Sequence, residues 1–347
     1  MKKIFISLII LLIVSCSNNK DTSEKKSVSE KQQIEVQQSA HKKDYEKNKK
    51  VELNGDYKIV VEKISPITKK EDGSFNNPVF SNNGNFVFFT NSSFSQIWVY
   101  DCKKKSYEKI IESQQAGANF QVSEDGNEIY FRTKDFRNTA GKTFSIMKYS
   151  LVKKELKTIY SSNDRISYPK LLDKKLYFQE NNNPKSFNIK ANKTDENFDP
   201  PFYFVQNNNL IKYNGSSESV RLNNKKLKFV NVNYTKDGQF IKALTKNNGV
   251  MLMNLKTEPI NLYRNAITLS KLFNSNLVVF ASEKNDGMKL TNSELFVGFL
   301  GSNRVIPITN SNSEQRFNPD WSPTENKIVY NNNEGVIKII SFKIENK

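Results

Sequence analysis

The chain has 347 residues, a net charge of +17 and 37% hydrophobic residues. That is enough for two ordinary domains or one large all-β domain. Twenty-four Phe, 14 Tyr and mixed charge exclude a wholly disordered chain; one histidine and two cysteines leave no means for a zinc cluster, a histidine metal site or a disulfide framework.

Met1-Lys2-Lys3 opens the chain and an apolar run from Ile4 to Val14 follows. A bilayer span needs about 20 apolar residues, so residues 1–15 read as a secretory signal peptide. The end of the run, Ile13-Val14-Ser15-Cys16, resembles a bacterial lipobox. That resemblance implies cleavage before Cys16 and acylation of its thiol by chains such as palmitate. Several acyl chains anchor stably, because each buried methylene adds about 0.8 kcal/mol. The predicted address is the cell envelope, outside the cytoplasm, in the outer membrane or at the cell surface. Ser17 stands where the Asp that favours inner-membrane retention in enteric bacteria is found. Cys102 is left without an intrachain partner and is expected to be a small core or surface residue.

Residues 16–52 read as a lipidated flexible tether. They hold no glycine or proline and almost no large apolar residue, so ordering them gains too little burial. His41, the one histidine, falls here, where nothing fixes its position for catalysis or ligation.

From 53 to 347 short apolar runs alternate with Asn, Asp, Gly and Ser clusters, which reads as strands and turns. One phrase recurs: a Ser or Thr, a tight turn, then a β-branched and aromatic strand. It runs Ser81-Asn82-Asn83-Gly84 before Phe86-Val87-Phe88-Phe89, and Ser123-Glu124-Asp125-Gly126 before Ile129-Tyr130-Phe131. Leu172-Asp173-Lys174-Lys175 before Leu176-Tyr177-Phe178 is a shortened copy. Thr235-Lys236-Asp237-Gly238 before Phe240-Ile241 is a fourth, and Leu269 to Phe280 holds a weak fifth. The clearest is Pro319-Asp320-Trp321-Ser322-Pro323 before Ile328-Val329-Tyr330. Val87, Ile129, Leu176, Ile241, Leu277 and Ile328 align at spacings of 42, 47, 65, 36 and 51 residues.

Each phrase is followed by a second hairpin, giving four-stranded antiparallel units of propeller length. The predicted fold is an all-β, six-bladed β-propeller, with seven blades as the alternative. The 65-residue gap decides between them: it holds an insertion or a degenerate blade around Phe202-Tyr203-Phe204-Val205. Tyr57 to Glu62 is a strand with no phrase before it, and Val336 to Phe342 is one without a last partner. The two ends are expected to pair and close the ring.

The string Pro319-Asp320-Trp321-Ser322-Pro323 with its following strand resembles the TolB-type propeller repeat. The resemblance covers about residues 66 to 342. Thr324-Glu325 stands where Asp-Gly is usual, and Asn82 and Glu124 where the second Pro is usual. These residues build blades, so the resemblance implies a fold and not a reaction.

No enzyme is expected. A folded part without histidine cannot hold a Ser-His-Asp or Cys-His site or a histidine-bound metal. No Gly-x-Ser-x-Gly and no Gly-rich phosphate loop appears, and no hydrolase domain or cofactor is expected. A carboxylate-only glycosidase would draw on Asp320, Asp237 and Asp125, which lie in blade turns where acids are expected structurally. Only seven of the 53 basic residues are arginine, and the address is extracytoplasmic, so nucleic acid is not an expected partner. The lysine excess reads first as solvated surface, then as attraction to anionic lipid, wall polymer or an acidic partner. Trp321 and Trp98 are expected in the core. Asp199 to Phe204 is either an aromatic rim loop or an insertion that ends in a buried strand.

The reading that results is a membrane-anchored lipoprotein whose propeller binds protein, an envelope or peptidoglycan-associated partner. The alternative is a carbohydrate-binding or sensing propeller, and a carboxylate-dependent hydrolase comes third. Cys16→Ala should leave the precursor uncut and unlabelled by radioactive palmitate. Normal processing and membrane retention of that variant would contradict the lipobox.

Overall fold

The computed structural model describes residues 50–52 and 57–346, apart from 139–140, 223–226, 247–248, 273–274, 287–289 and 311–313. The signal peptide, Cys16 and His41 lie outside the described residues. Among the described residues no helix is long and apolar enough to cross a membrane.

The strands form seven antiparallel sheets, taken here as blades 1 to 7. Blade 1 spans 75–112, blade 2 spans 121–162, blade 3 spans 170–195 and blade 4 spans 202–219. Blade 5 spans 229–263 and blade 6 spans 266–307. Blade 7 joins 316–346 to Tyr57–Pro66, with the short strand Lys50–Glu52 outside it. The sheet thus begins at Lys50, inside the segment read as tether. The fold is the expected all-β propeller, and the alternative count of seven is the one it has.

The recurring phrase is a hairpin clasp. The Ser81 hydroxyl donates to Asn83 Oδ1 at 2.7 Å and accepts the Phe86 N–H at 2.9 Å. Ser123 repeats this with Asp125 and Glu128, and Thr235 with Asp237 and Phe240. In each copy the side-chain oxygen two residues on also takes an N–H from the turn. Gly84, Gly126 and Gly238 close the turns at φ of 73°, 74° and 67°, a region that costs glycine little. Blade 3 has no such glycine. Its shortened copy is a two-residue turn, Asp173-Lys174, with both residues at positive φ.

The strand after each clasp is buried on both faces: Val87, Phe88 and Phe89 in blade 1, and Leu176, Tyr177 and Phe178 in blade 3, are all fully buried. A strand sandwiched between neighbouring sheets must be apolar on both sides. The resulting clusters lie between consecutive blades. Trp321 packs edge-on against Phe342, 5.6 Å between centroids, and is 1% exposed. Truncating such a ring to Ala costs about 3–5 kcal/mol. Trp98 is half-buried and stacks on Phe89. Cys102 joins the margin of the same cluster, and burial pushes its thiol up to about 11.

Blade 4 is the exception. Among the described residues it has three strands, and its first, Phe202–Gln206, is aromatic and buried like the second strand of the others. Phe202, Tyr203 and Phe204 are at most 3% exposed, so the run at 199–204 ends in a buried strand and not in an aromatic rim. Among the described residues no strand fills its innermost position, and two side chains serve that edge. The Tyr203 N–H donates to the Tyr234 hydroxyl of blade 5 at 3.2 Å, and its carbonyl accepts from the Lys170 ammonium of blade 3 at 2.8 Å. The Tyr234 hydroxyl in turn donates to the Pro201 carbonyl at 2.8 Å. Backbone groups buried without partners would cost about 1–3 kcal/mol each. Blades 3 and 5 also meet directly: a Cβ on Gly238 would come within 2.6 Å of the Leu172 side chain.

The ends of the chain close the ring. Tyr57–Pro66 pairs antiparallel with Ile337–Asn346 from Tyr57↔Asn346 to Pro66↔Lys338, with a bulge between Val61 and Lys63.

Burial pushes the Lys170 ammonium down to about 7. An unfolded lysine keeps its proton to about pH 10.4. Between those values the unfolded chain holds a proton that the folded chain has released, so stability rises with pH. Urea midpoints at pH 7, 8 and 9 should therefore climb, and climb less steeply in Lys170→Met. Equal slopes in the two proteins would contradict this state of Lys170.

Candidate functional site

The inner strands surround an axial cavity of about 1440 Å³. Blades 1, 2, 3, 5, 6 and 7 line it mainly with first strands and clasp turns, blades 2 and 5 also with later strands, and Pro200 comes from the segment just before blade 4. Because those strands bury their outward faces in the blade clusters, they turn polar residues to the axis. Asn77, Asn119, Asn231, Asn233 and Asn318 all reach it.

The charges are sorted by depth and by side. Lys174 and Lys190 of blade 3 are exposed and belong to the mouth. Glu124 and Asp125, in the clasp turn of blade 2, are also exposed. Lys236, Lys242 and Lys271 of blades 5 and 6 line the cavity with less exposure.

The three carboxylates named from the sequence all line this cavity, and each is engaged. Asp125 accepts from Ser123 and Asn127 within its own turn, and these bonds outweigh burial and hold its carboxyl below the usual range. Asp237 accepts from Thr235, from the Gln239 N–H and from the Lys271 ammonium at 2.7 Å. The side chains of Lys271 and Asp237 are 3% and 7% exposed. Asp320 ties four blades together. Its Oδ2 accepts the Phe80 N–H of blade 1 at 2.7 Å and the Lys236 ammonium of blade 5. Its Oδ1 accepts the Ser270 hydroxyl of blade 6 at 2.6 Å. Ser270 also accepts the Trp321 N–H, which fixes the phrase that carries Asp320.

Sequence reasoning missed the three lysines. Lys236 sits inside a clasp turn and Lys271 follows the serine of the weak fifth phrase, so both read as ordinary turn residues. Lys242 carried the usable signal, a lysine within the otherwise apolar Phe240-Ile-Lys-Ala-Leu run. Burial lowers its ammonium, and Asp320 offsets that only in part.

Two other places were candidates. A cavity of about 310 Å³ beside blades 5 and 6 is lined by Tyr263, Phe280 and Phe296 among others. Arg316 makes ion pairs with Glu294 at 2.9 Å and Glu314 at 3.2 Å, with Lys338 also on Glu314. All four side chains are less than one-fifth exposed, and the cluster joins blades 6 and 7 structurally. Among the described residues no three His, Cys, Asp or Glu are grouped to hold a metal ion.

No family model and no curated protein matches the chain. Among solved structures it is similar to the WD40 repeats of RRP9, with a TM-score of 0.53 and 12% identity over 81% of this chain and 97% of that one. A chain of the Mitotic Checkpoint Complex gives a TM-score of 0.53 and 10% identity over 96% and 98%. TolB from Acinetobacter baumannii overlaps at a TM-score of 0.49 and 13% identity, covering 79% of this chain and 66% of that one. At such identities the likeness is one of fold, and the fold is a β-propeller.

Proposed function

We propose that this protein is a lipid-anchored, extracytoplasmic propeller of the bacterial envelope that binds a protein partner at the mouth of its axial cavity. The lipobox-like Ile13-Val14-Ser15-Cys16 supports the address. The observation that carries the binding reading is the cavity itself. It is wide, its wall mixes apolar side chains with asparagines and lysines, and it opens among turns contributed by several blades, where binding residues sit on a rigid scaffold.

The carboxylates argue against hydrolysis. A glycosidase needs one protonated carboxyl as acid and a second free as base or nucleophile. Asp237 and Asp320 each face a lysine ammonium and two or more further donors, so both serve as fixed acceptors.

Lys174 and Lys190 are exposed at the mouth, so reversing them should spare the fold. In a cross-linking pull-down from its own envelope, the acylated Lys174→Glu/Lys190→Glu protein should capture less partner, with weaker dependence on salt, at an unchanged melting temperature. Capture by the parent should survive added sugars. Capture lost only in variants that also melt early, or abolished by sugars, would overturn the protein-binding reading.

A further inference from the structure

Lys242 lies on the second strand of blade 5, Phe240–Thr245, between the fully buried Ile241 and Ala243. Its side chain reaches the axial cavity together with Lys236 and Lys271. A lysine ammonium has three donors. One is used here, on the Leu269 carbonyl at 2.9 Å. The other two cations of this wall are neutralised by Asp320 and Asp237. Both acids are engaged by donors on each oxygen, and among the described residues no carboxylate forms an ion pair with Lys242.

Lys242 is partly buried and Asp320 offsets the desolvation of its ammonium only in part, so a residual cost remains where a large cavity opens. A ligand that brings one negative charge to this wall would remove it. The rest of the cavity says what kind of ligand. Glu124 and Asp125 of blade 2 stand at the same cavity and disfavour a polyanion such as a uronate chain. Asparagines on the inner strands of blades 1, 5 and 7, and Asn119 just before that of blade 2, offer amides that match peptide groups. We propose that the cavity takes a peptide segment of the partner bearing one isolated Asp or Glu, whose carboxylate is anchored by Lys242 between Lys236 and Lys271. This rests on the protein-binding reading above.

The probe is a library of random twelve-residue peptides displayed on phage, selected against the full-length protein and measured as free peptides. Selected peptides should share one acidic residue, and its amide counterpart should bind about tenfold more weakly. That preference should vanish in Lys242→Met and return in Lys242→Arg, which isolates the pairwise contact. Lys242→Met should melt close to the parent, since the partly buried cation it removes makes no ion pair among the described residues and one hydrogen bond. Selected peptides without an acid, or an acid-to-amide loss equal in parent and Lys242→Met, would overturn the proposal. So would tighter binding of hexagalacturonate or inorganic phosphate than of any selected peptide at equal ionic strength. Envelope capture that persists unchanged in Lys242→Met would remove this site and leave the platform reading standing. Loss of capture in the mouth variants alone would test that reading separately.

Discussion

Everything in this molecule depends on one strand pairing across the whole length of the chain. Tyr57–Pro66 lies against Ile337–Asn346, so the first and last parts of the propeller share blade 7. A propeller blade presents apolar faces to both neighbours, and a ring left open would expose a cluster and a strand edge at each break. The buried Ile59 and Val61 join Trp321, Ile328 and Ile340 in the cluster between blades 6 and 7. Closure therefore completes a core as well as a ladder. The inner strand of the same blade carries Asp320, whose carboxylate connects blades 1, 5, 6 and 7 around the axis.

The sequence shows the fold through residues that do two jobs at once. Ser81, Ser123 and Thr235 set the turn and terminate the inner strand, so their spacing counts inner strands. That count is six, and it is right for inner strands. It falls one short of the seven blades because blade 4, among the described residues, has no inner strand and so no phrase. Its edge is met by Lys170 and Tyr234, which come from blades 3 and 5 and carry no local mark of that role. The aromatic run Phe202 to Val205 is the surviving signal of the blade, and it was legible as a degenerate blade or an insertion. Only pairing to Asn209–Tyr213 distinguishes the two. The positions that restore the missing hydrogen bonds are thus products of three-dimensional contact, 33 and 31 residues from Tyr203.

The axial charges were less legible for a related reason. Asp125, Asp237 and Asp320 were visible as turn acids, but the lysines that answer two of them come from other blades, Lys236 from a clasp turn and Lys271 from an inner strand. A lysine-rich chain hides such residues, because most of its lysines are solvated surface. What separates Lys236, Lys242 and Lys271 from that background is depth, and depth follows from the ring. The balance of the wall, two paired cations and one that pairs with no acid among the described residues, has no signature along the chain.

The measurement that bears most directly on this account is thermal unfolding of two truncations. One lacks 17–47, which lie outside the described strands, and the other lacks 50–66, which includes the closing strand. The account predicts that the first melts like the parent in one cooperative transition. The second should lose that transition or melt far lower, and should expose blade 7 to proteolysis beginning at Ile337–Asn346. Equal melting temperatures for the two truncations would contradict closure as the constraint that holds the propeller and its axial site together.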